Sequence, residues 1–295
     1  NDIADRKFDP QVWLEQQRID PPEELPPGSF GISIATRGER LFVTRYGAGA
    51  CVYVYRRDAH QWIFEAVLRP DHDETDGGFG ITMALGDDIA VIGAPFAHQR
   101  EGELFVFERD PATNTWKETA DIREPEPTGF DLFSYSIALA VTSDSYVILA
   151  GAPGYDAIDI EYSYGLVEVF SRSRAGGQWH REAPILGGED ERFFGQSIAI
   201  DGEHLAISSV VPGVVLPSLV PAAVHFYEGP PNAWTEIQVE RSSTVLAYAL
   251  YGFSLALHGD TIAIGYPALV GAFTTPGSIW IYELRDGVWE FSQKL

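Results

Sequence analysis

The densest cluster of groups able to do chemistry is Asp71-His72-Asp73-Glu74-Thr75-Asp76, a run of carboxylates broken by one imidazole. Calcium prefers six to eight hard oxygen ligands, and Asp71, Asp73 and Asp76 are the candidate ligands here. Glu189-Asp190-Glu191 is a second such run. Both also fit solvated acidic loops without metal, so no cofactor is expected, and calcium is the one ion the loops could take. The remaining reactive residue types form no catalytic motif. The seven histidines are scattered without His-Glu-x-x-His spacing, and no Gly-x-Ser-x-Gly nucleophile turn occurs. Hydrolysis by paired carboxylates needs two acids at a set separation, and the acidic residues here select no pair. His225, inside Val224-His225-Phe226-Tyr227, reads as a packing residue. Cys51, the sole cysteine, lies in Cys51-Val52-Tyr53-Val54-Tyr55 and reads as a buried thiol, so no intrachain disulfide can form. The expectation is a protein that binds and does not catalyse.

Three loops carry residues suited to binding. Tyr155, Asp156, Asp159 and Tyr162 combine aromatic faces with carboxylates, the groups that stack on and hydrogen-bond a glycan. Val214, Leu216 and Leu219 lie in an apolar stretch over 210–220, and Phe273 lies in another over 268–273. Contiguous exposed apolar surface marks a contact site, for a protein partner or a second copy. Folding inward to plug the core is the alternative. Net charge narrows the partners: at −23, with lysine only at Lys7, Lys117 and Lys294, the surface repels a phosphate backbone and an anionic bilayer. Nucleic acid is thereby excluded as an expected partner. Membrane insertion is excluded because no apolar run reaches the length that spans a bilayer. Excess carboxylate suits a salty or calcium-rich setting, or serves solubility alone. The polar start, Asn1 to Arg6, has no signal-peptide pattern, which leaves a processed chain or a segment of something longer.

These loops must be held by a scaffold, and the scaffold is repetitive. Five segments match: Phe30-Gly31-Ile32-Ser33-Ile34-Ala35, Phe79-Gly80-Ile81-Thr82-Met83-Ala84, Phe133-Ser134-Tyr135-Ser136-Ile137-Ala138, Phe194-Gly195-Gln196-Ser197-Ile198-Ala199 and Tyr251-Gly252-Phe253-Ser254-Leu255-Ala256. Each is followed by a polar turn and an apolar strand, as in Gly86-Asp87-Asp88 before Ile89-Ala90-Val91-Ile92. A third, β-branched and aromatic strand follows, such as Glu103-Leu104-Phe105-Val106-Phe107. A fourth begins at Trp62, Trp116, Trp179, Trp234 or Trp289. Four short strands per unit at this period, with no helical pattern, specify an all-β fold, a propeller of five four-stranded repeats. The aromatics and tryptophans then serve as filler between blades.

The motifs resemble those of the FG-GAP repeat family, known from the propellers of integrin α subunits; Phe79-Gly80 with Gly93-Ala94-Pro95 carries the likeness best. The resemblance covers most of the chain and implies a secreted or cell-surface protein that mediates adhesion or assembly. The first-to-second-strand turns are too short for the family's calcium loop, so the likeness is to calcium-free repeats, and the integrin calcium sites are not carried over. It also implies that the loops joining strands two and three, and those joining blades, share the ligand face. A glycan-binding lectin and, less well supported, a propeller hydrolase are the alternatives.

One domain, 1–295, is expected, with repeats over about 30–78, 79–132, 133–193, 194–250 and 251–295. Residues 11–20 read as an orphan strand, because Trp13 precedes Phe30 by the same 17 positions that separate Trp62 from Phe79. Five blades closing alone, with an extra strand at the seam, is preferred over a portion of a larger ring, because a continuous chain should bury its own edges.

Overall fold

The computed structural model describes residues 17–22, 29–72, 77–155, 163–188, 191–210, 221–242, 250–267 and 277–295. They form five antiparallel sheets, each a meander in chain order. Sheet 1 is β1 (Ser29–Arg37), β2 (Arg40–Tyr46), β3 (Cys51–Asp58) and β4 (Gln61–Leu68). Sheet 2 is β5 (Thr82–Leu85), β6 (Ile89–Ala94), β7 (Glu103–Asp110) and β8 (Thr115–Arg123). Sheet 3 is β9 (Ser136–Val141), β10 (Ser145–Ala152) and β11 (Leu166–Ser173), with its fourth strand split into β12 (His180–Arg181) and β13 (Ile185–Leu186). Pro184 lies in that break, where the ring nitrogen has no hydrogen to donate to the ladder. Sheet 4 is β14 (Phe194–Asp201), β15 (His204–Ser209), β16 (Ala223–Glu228) and β17 (Thr235–Arg241). Sheet 5 is β18 (Ser254–His258), β19 (Thr261–Tyr266), β20 (Ser278–Arg285) and β21 (Val288–Lys294).

The expected repeats therefore appear as sheets in the expected order. Middle strands such as β6 are buried along their whole length because neighbouring sheets cover both faces, hence their unbroken apolar sequence. Successive first strands lie side by side: β1 with β5, β5 with β9, β9 with β14, and β14 with β18. Apolar clusters join sheets 1 and 2 around Phe79, 2 and 3 around Phe133, 3 and 4 around Phe194, and 4 and 5 around Tyr251. The opening aromatics of sheets 2 to 5 are thus packing between sheets.

The residue after that aromatic bends the chain. Gly80, Gly195 and Gly252 have φ of 87, 88 and 85°, where a side chain is strained. Ser134 departs from the pattern yet keeps a positive φ of 71°. Its hydroxyl donates to the Glu103 carbonyl (2.7 Å), a local reward for the strained backbone. The repeated hydroxyl residue then latches sheet to sheet. Thr82 Oγ1 donates to the Ser134 carbonyl at 2.7 Å, and Ser136 Oγ donates to the Gly195 carbonyl at 2.6 Å. Ser197 Oγ accepts from the Leu255 amide at 3.2 Å.

The five sheets make a propeller-like arrangement. Among the described residues no apolar cluster joins sheet 5 to sheet 1; the fifth cluster packs Tyr53 and Tyr55 of sheet 1 against Ile19 and Phe30. Among the described residues, neither packing nor an added strand joins sheet 5 to sheet 1. Residues 17–20 of the orphan segment lie along sheet 1 without joining its ladder.

Candidate functional site

The loops joining second to third strands meet the inter-sheet loops at one end of the array: the Phe96 amide donates to the Gly77 carbonyl (2.8 Å) and the Gly154 amide to the Asp131 carbonyl (2.9 Å). Under this end, three central sheets each bury a carboxylate against an arginine.

In sheet 2 the carboxylate is Glu103, at the start of β7 and wholly buried. Its cross-strand partner in the ladder is Arg123, whose Nε donates to Oε1 at 2.9 Å. The other oxygen lies 3.2 Å from His72 Nε2 and 3.1 Å from His98 Nε2. Burial alone would raise the Glu103 pKa; hydrogen bonds from Arg123, His98 and His72 outweigh it and hold the carboxyl below its usual value. The ring of His72 leans on Phe105, centroids 5.4 Å apart. Both imidazoles are partly exposed, so a buried carboxylate orients two accessible histidines. Asp121 stands nearby, and ligand atoms of His72, Glu103 and Asp121 all lie within 4.8 Å of one another. These three could hold a divalent ion, although Arg123 already occupies one Glu103 oxygen.

In sheet 3, Arg181 grips Glu168 with two hydrogen bonds, Nε to Oε2 at 2.8 Å and Nη2 to Oε1 at 2.7 Å. Beside them Glu124 is buried, and its oxygens make no well-formed hydrogen bond. Burial first, then the charges of Glu168 and Asp131, push its carboxyl up to about 8, with the Glu126 amide and Arg181 offsetting them only in part.

In sheet 4, Glu191 accepts from Ser209 Oγ at 2.5 Å and Arg241 Nη2 at 2.6 Å. His225 lies between two carboxylates, with Nε2 3.3 Å from Glu191 Oε1 and Nδ1 2.9 Å from Glu236 Oε2. Its ring meets Phe194 edge-on at 5.2 Å. Burial alone would lower the His225 pKa; hydrogen bonds and charge from Glu191 and Glu236 reverse that and raise it. Glu191, in turn, is lowered despite its burial, by His225, Ser209 and Arg241. A raised base contributes stability below its unfolded pKa and loses it as pH rises; a lowered acid does the reverse. The His225→Gln variant should therefore cost about 2 kcal/mol more at pH 5.5 than at pH 9 in urea unfolding, because only imidazolium can donate to both carboxylates at once. An equal cost at both values would mean that His225 is neutral throughout.

Of the residues singled out in the sequence, few stand in this geometry. Asp71 has an exposed side chain, and its amide donates to Glu118 Oε2 at 2.8 Å. It is not among the three grouped ligands. Tyr155 packs against the cluster between sheets 2 and 3 and does not stand free as a stacking platform. Asp73, Asp76, Asp156, Asp159, Tyr162, Val214, Leu216, Leu219 and Phe273 lie outside the described residues. His225 does pack as expected, but inside an ion-paired network that the sequence reading missed. A signal for two of the clamps was present: Arg123 and Arg241 each lie seven positions after a repeat tryptophan, whereas Arg181 lies two after Trp179.

The first strands also border a cleft of about 310 Å³, lined by Thr82, Ser136, Ser197 and Phe253 among others. Its hydroxyls are already committed to the sheet-to-sheet latches.

No family model and no curated protein matches this sequence. Solved structures do match. A functionally unknown protein from Desulfotomaculum acetoxidans DSM 771 superposes with a TM-score of 0.57 at 12% identity, covering 90% of this chain and 69% of that one. A putative 6-phosphogluconolactonase from Bacteroides uniformis ATCC 8492 gives 0.58 at 12% identity, covering 87% and 68%. Likeness at this identity is a likeness of fold.

Proposed function

We propose that this chain is a β-propeller of FG-GAP type that acts as a binding scaffold, displayed outside the cell and recognising a protein partner through its loop-bearing end. The observation that carries this reading is the state of the buried carboxylates. Glu103, Glu168 and Glu191 are each clamped by an arginine, so their charge holds the loop end rigid and is not free for acid–base work. Rigid scaffolds carrying variable loops suit recognition.

A hydrolase is the second reading, favoured by one feature: Glu103 orients His72 and His98 as a carboxylate orients a general base. The lactonase description of one structural neighbour points the same way. The two readings separate in parallel assays on the purified chain. Interferometry against a panel of purified surface and matrix proteins should give saturable binding that weakens when exposed Asp121 becomes lysine. Hydrolysis of a six-carbon sugar lactone should stay at the buffer rate. Lactone turnover that falls on the order of 100-fold in both His98→Gln and Glu103→Gln would replace the binding reading with the hydrolase. Binding to a glycan array alone would replace it with the lectin.

A further inference from the structure

Two histidines from different loops meet on one oxygen of a buried carboxylate. With Arg123 on Glu103 Oε1, His72 Nε2 at 3.2 Å and His98 Nε2 at 3.1 Å share Oε2. This convergence is close to the ligand spacing of a metal cage. Zinc holds nitrogen and oxygen ligands at about 2.0–2.2 Å in a tetrahedron, whose edges are then about 3.4 Å. Both nitrogen–oxygen separations fall slightly inside that edge. Asp121 supplies a fourth donor. It stands opposite Phe105 in the β7–β8 ladder, one same-face step from the Glu103–Arg123 pair. Its carboxylate lies within 4.8 Å of the His72 and Glu103 ligand atoms. Among the described residues, no other three His, Cys, Asp or Glu side chains bring ligand atoms this close. His225 offers no such point, because Glu191 and Glu236 meet opposite nitrogens of its ring.

Local geometry aims these groups. His98, Gln99 and Arg100 are three successive non-glycine residues at positive φ (50, 62 and 77°), a rare and costly conformation. It presents the His98 ring to Glu103. His72 is braced from two sides. Its ring lies against Phe105 with centroids 5.4 Å apart, and the preceding amide, of Asp71, donates to Glu118 Oε2 on β8 at 2.8 Å. The two connections are clasped where the Phe96 amide donates to the Gly77 carbonyl at 2.8 Å. A Cβ on Gly77 would lie 2.8 Å from the Ala97 Cα, so the backbones touch there. His72, His98 and Asp121 reach solvent and Glu103 does not, which gives an ion an entry path and a buried anchor. Arg123 then holds the far oxygen of that anchor, the kind of outer support that orients a ligating carboxylate.

We propose that His72, His98, Glu103 and Asp121 form a binding site for one divalent transition-metal ion of the zinc class. Donor chemistry selects the ion: two imidazoles and two carboxylates suit zinc, whereas calcium takes six to eight oxygens. Glu103 contributes Oε2 and keeps Arg123 on Oε1. Four protein ligands fill the tetrahedral shell, so the ion ties the β4–β5 connection to the β6–β7 loop and leaves no position for a reacting water. The site stands apart from what the loop end recognises.

Calorimetric titration of the tag-free, chelator-stripped chain with zinc chloride tests the proposal. One ion per chain should bind, and His72→Ala and His98→Ala should each weaken binding at least about 100-fold. Asp121→Asn should weaken it on the order of tenfold. His60→Ala, on an exposed turn outside the cluster, should bind zinc as the parent does. Calcium chloride at the same concentrations should give no saturable heat. Cobalt(II) in place of zinc should give the strong visible absorption of a four-coordinate centre, which both histidine variants lose. Urea midpoints of the metal-free variants identify any that fails to fold, and the cobalt spectrum of the parent needs no variant. Absence of saturable zinc binding would overturn the proposal. So would one-to-one binding that survives both histidine replacements, a weakly absorbing six-coordinate cobalt centre, or calcium binding that both replacements abolish. Failure to find a protein partner leaves this result untouched, since the metal is the only ligand titrated.

Discussion

Replacing Glu124 with glutamine should stabilise the protein at pH 9 by on the order of 4 kcal/mol, while changing little at pH 5. The side chain is 4% exposed and its carboxyl is pushed up to about 8, first by burial and then by Glu168 and Asp131. The sign follows from linkage. In the unfolded chain the carboxyl ionises near 4.5, whereas the fold favours the protonated form to about 8. Stability attached to Glu124 is therefore complete below pH 4.5 and drains away as pH rises toward 8. Glutamine has the shape of the protonated acid and cannot ionise, so the variant escapes the loss. Urea unfolding of both proteins at pH 5, 7 and 9 would show curves that diverge upward through this interval. Parallel curves would mean that water or a neighbouring donor reaches the carboxylate and keeps it ionised.

Glu124 also shows which part of the site was hidden in the sequence. Acidic residues are so frequent in this chain that no single one stands out, and the groups that matter come together from distant positions. Glu103 meets Arg123 across a hairpin, and Glu191 meets Arg241 from 50 positions away. His72 and His98 come from two different loops onto one oxygen. Neither spacing nor periodicity encodes such meetings, since they depend on which loops share an end of the array. The sheets were legible for the opposite reason. An aromatic, a flexible residue, a hydroxyl and an apolar strand recur together because each makes the same contact in each repeat, and repetition turns packing into pattern. The interruption in the fourth strand of sheet 3 was marked by Pro184 and still passed over. Closure was not legible: the preference for five sheets closing alone assumed that the ends find each other, and among the described residues Ile34 of sheet 1 and Ile279 of sheet 5 are exposed.

The same motif residue should carry very different weight according to its neighbours, and Phe194 and Phe30 provide the comparison. Phe194 opens sheet 4 at 0% exposure, between sheets 3 and 4, with Gly165 paired to its backbone and His225 against its ring edge. Truncation to alanine removes a full ring from a site whose walls are two sheets pinned by latches, so the cavity cannot collapse. The expected cost for Phe194→Ala is about 4 kcal/mol, within the range for a buried phenylalanine in a rigid core. Phe30 opens sheet 1 in the same motif, yet it is only half-buried and meets Tyr53 at 6.0 Å, with no preceding sheet behind it among the described residues. Phe30→Ala in residues 1–295 should cost about 1 kcal/mol, the loss of one partial contact. Tryptophan fluorescence in urea would give both values on one scale. Equal costs would mean that the aromatic acts within its own sheet, through the bend that the following residue makes, and that filling the space between sheets is secondary. A fourfold difference would show that the repeated aromatic takes its energy from the adjoining sheet.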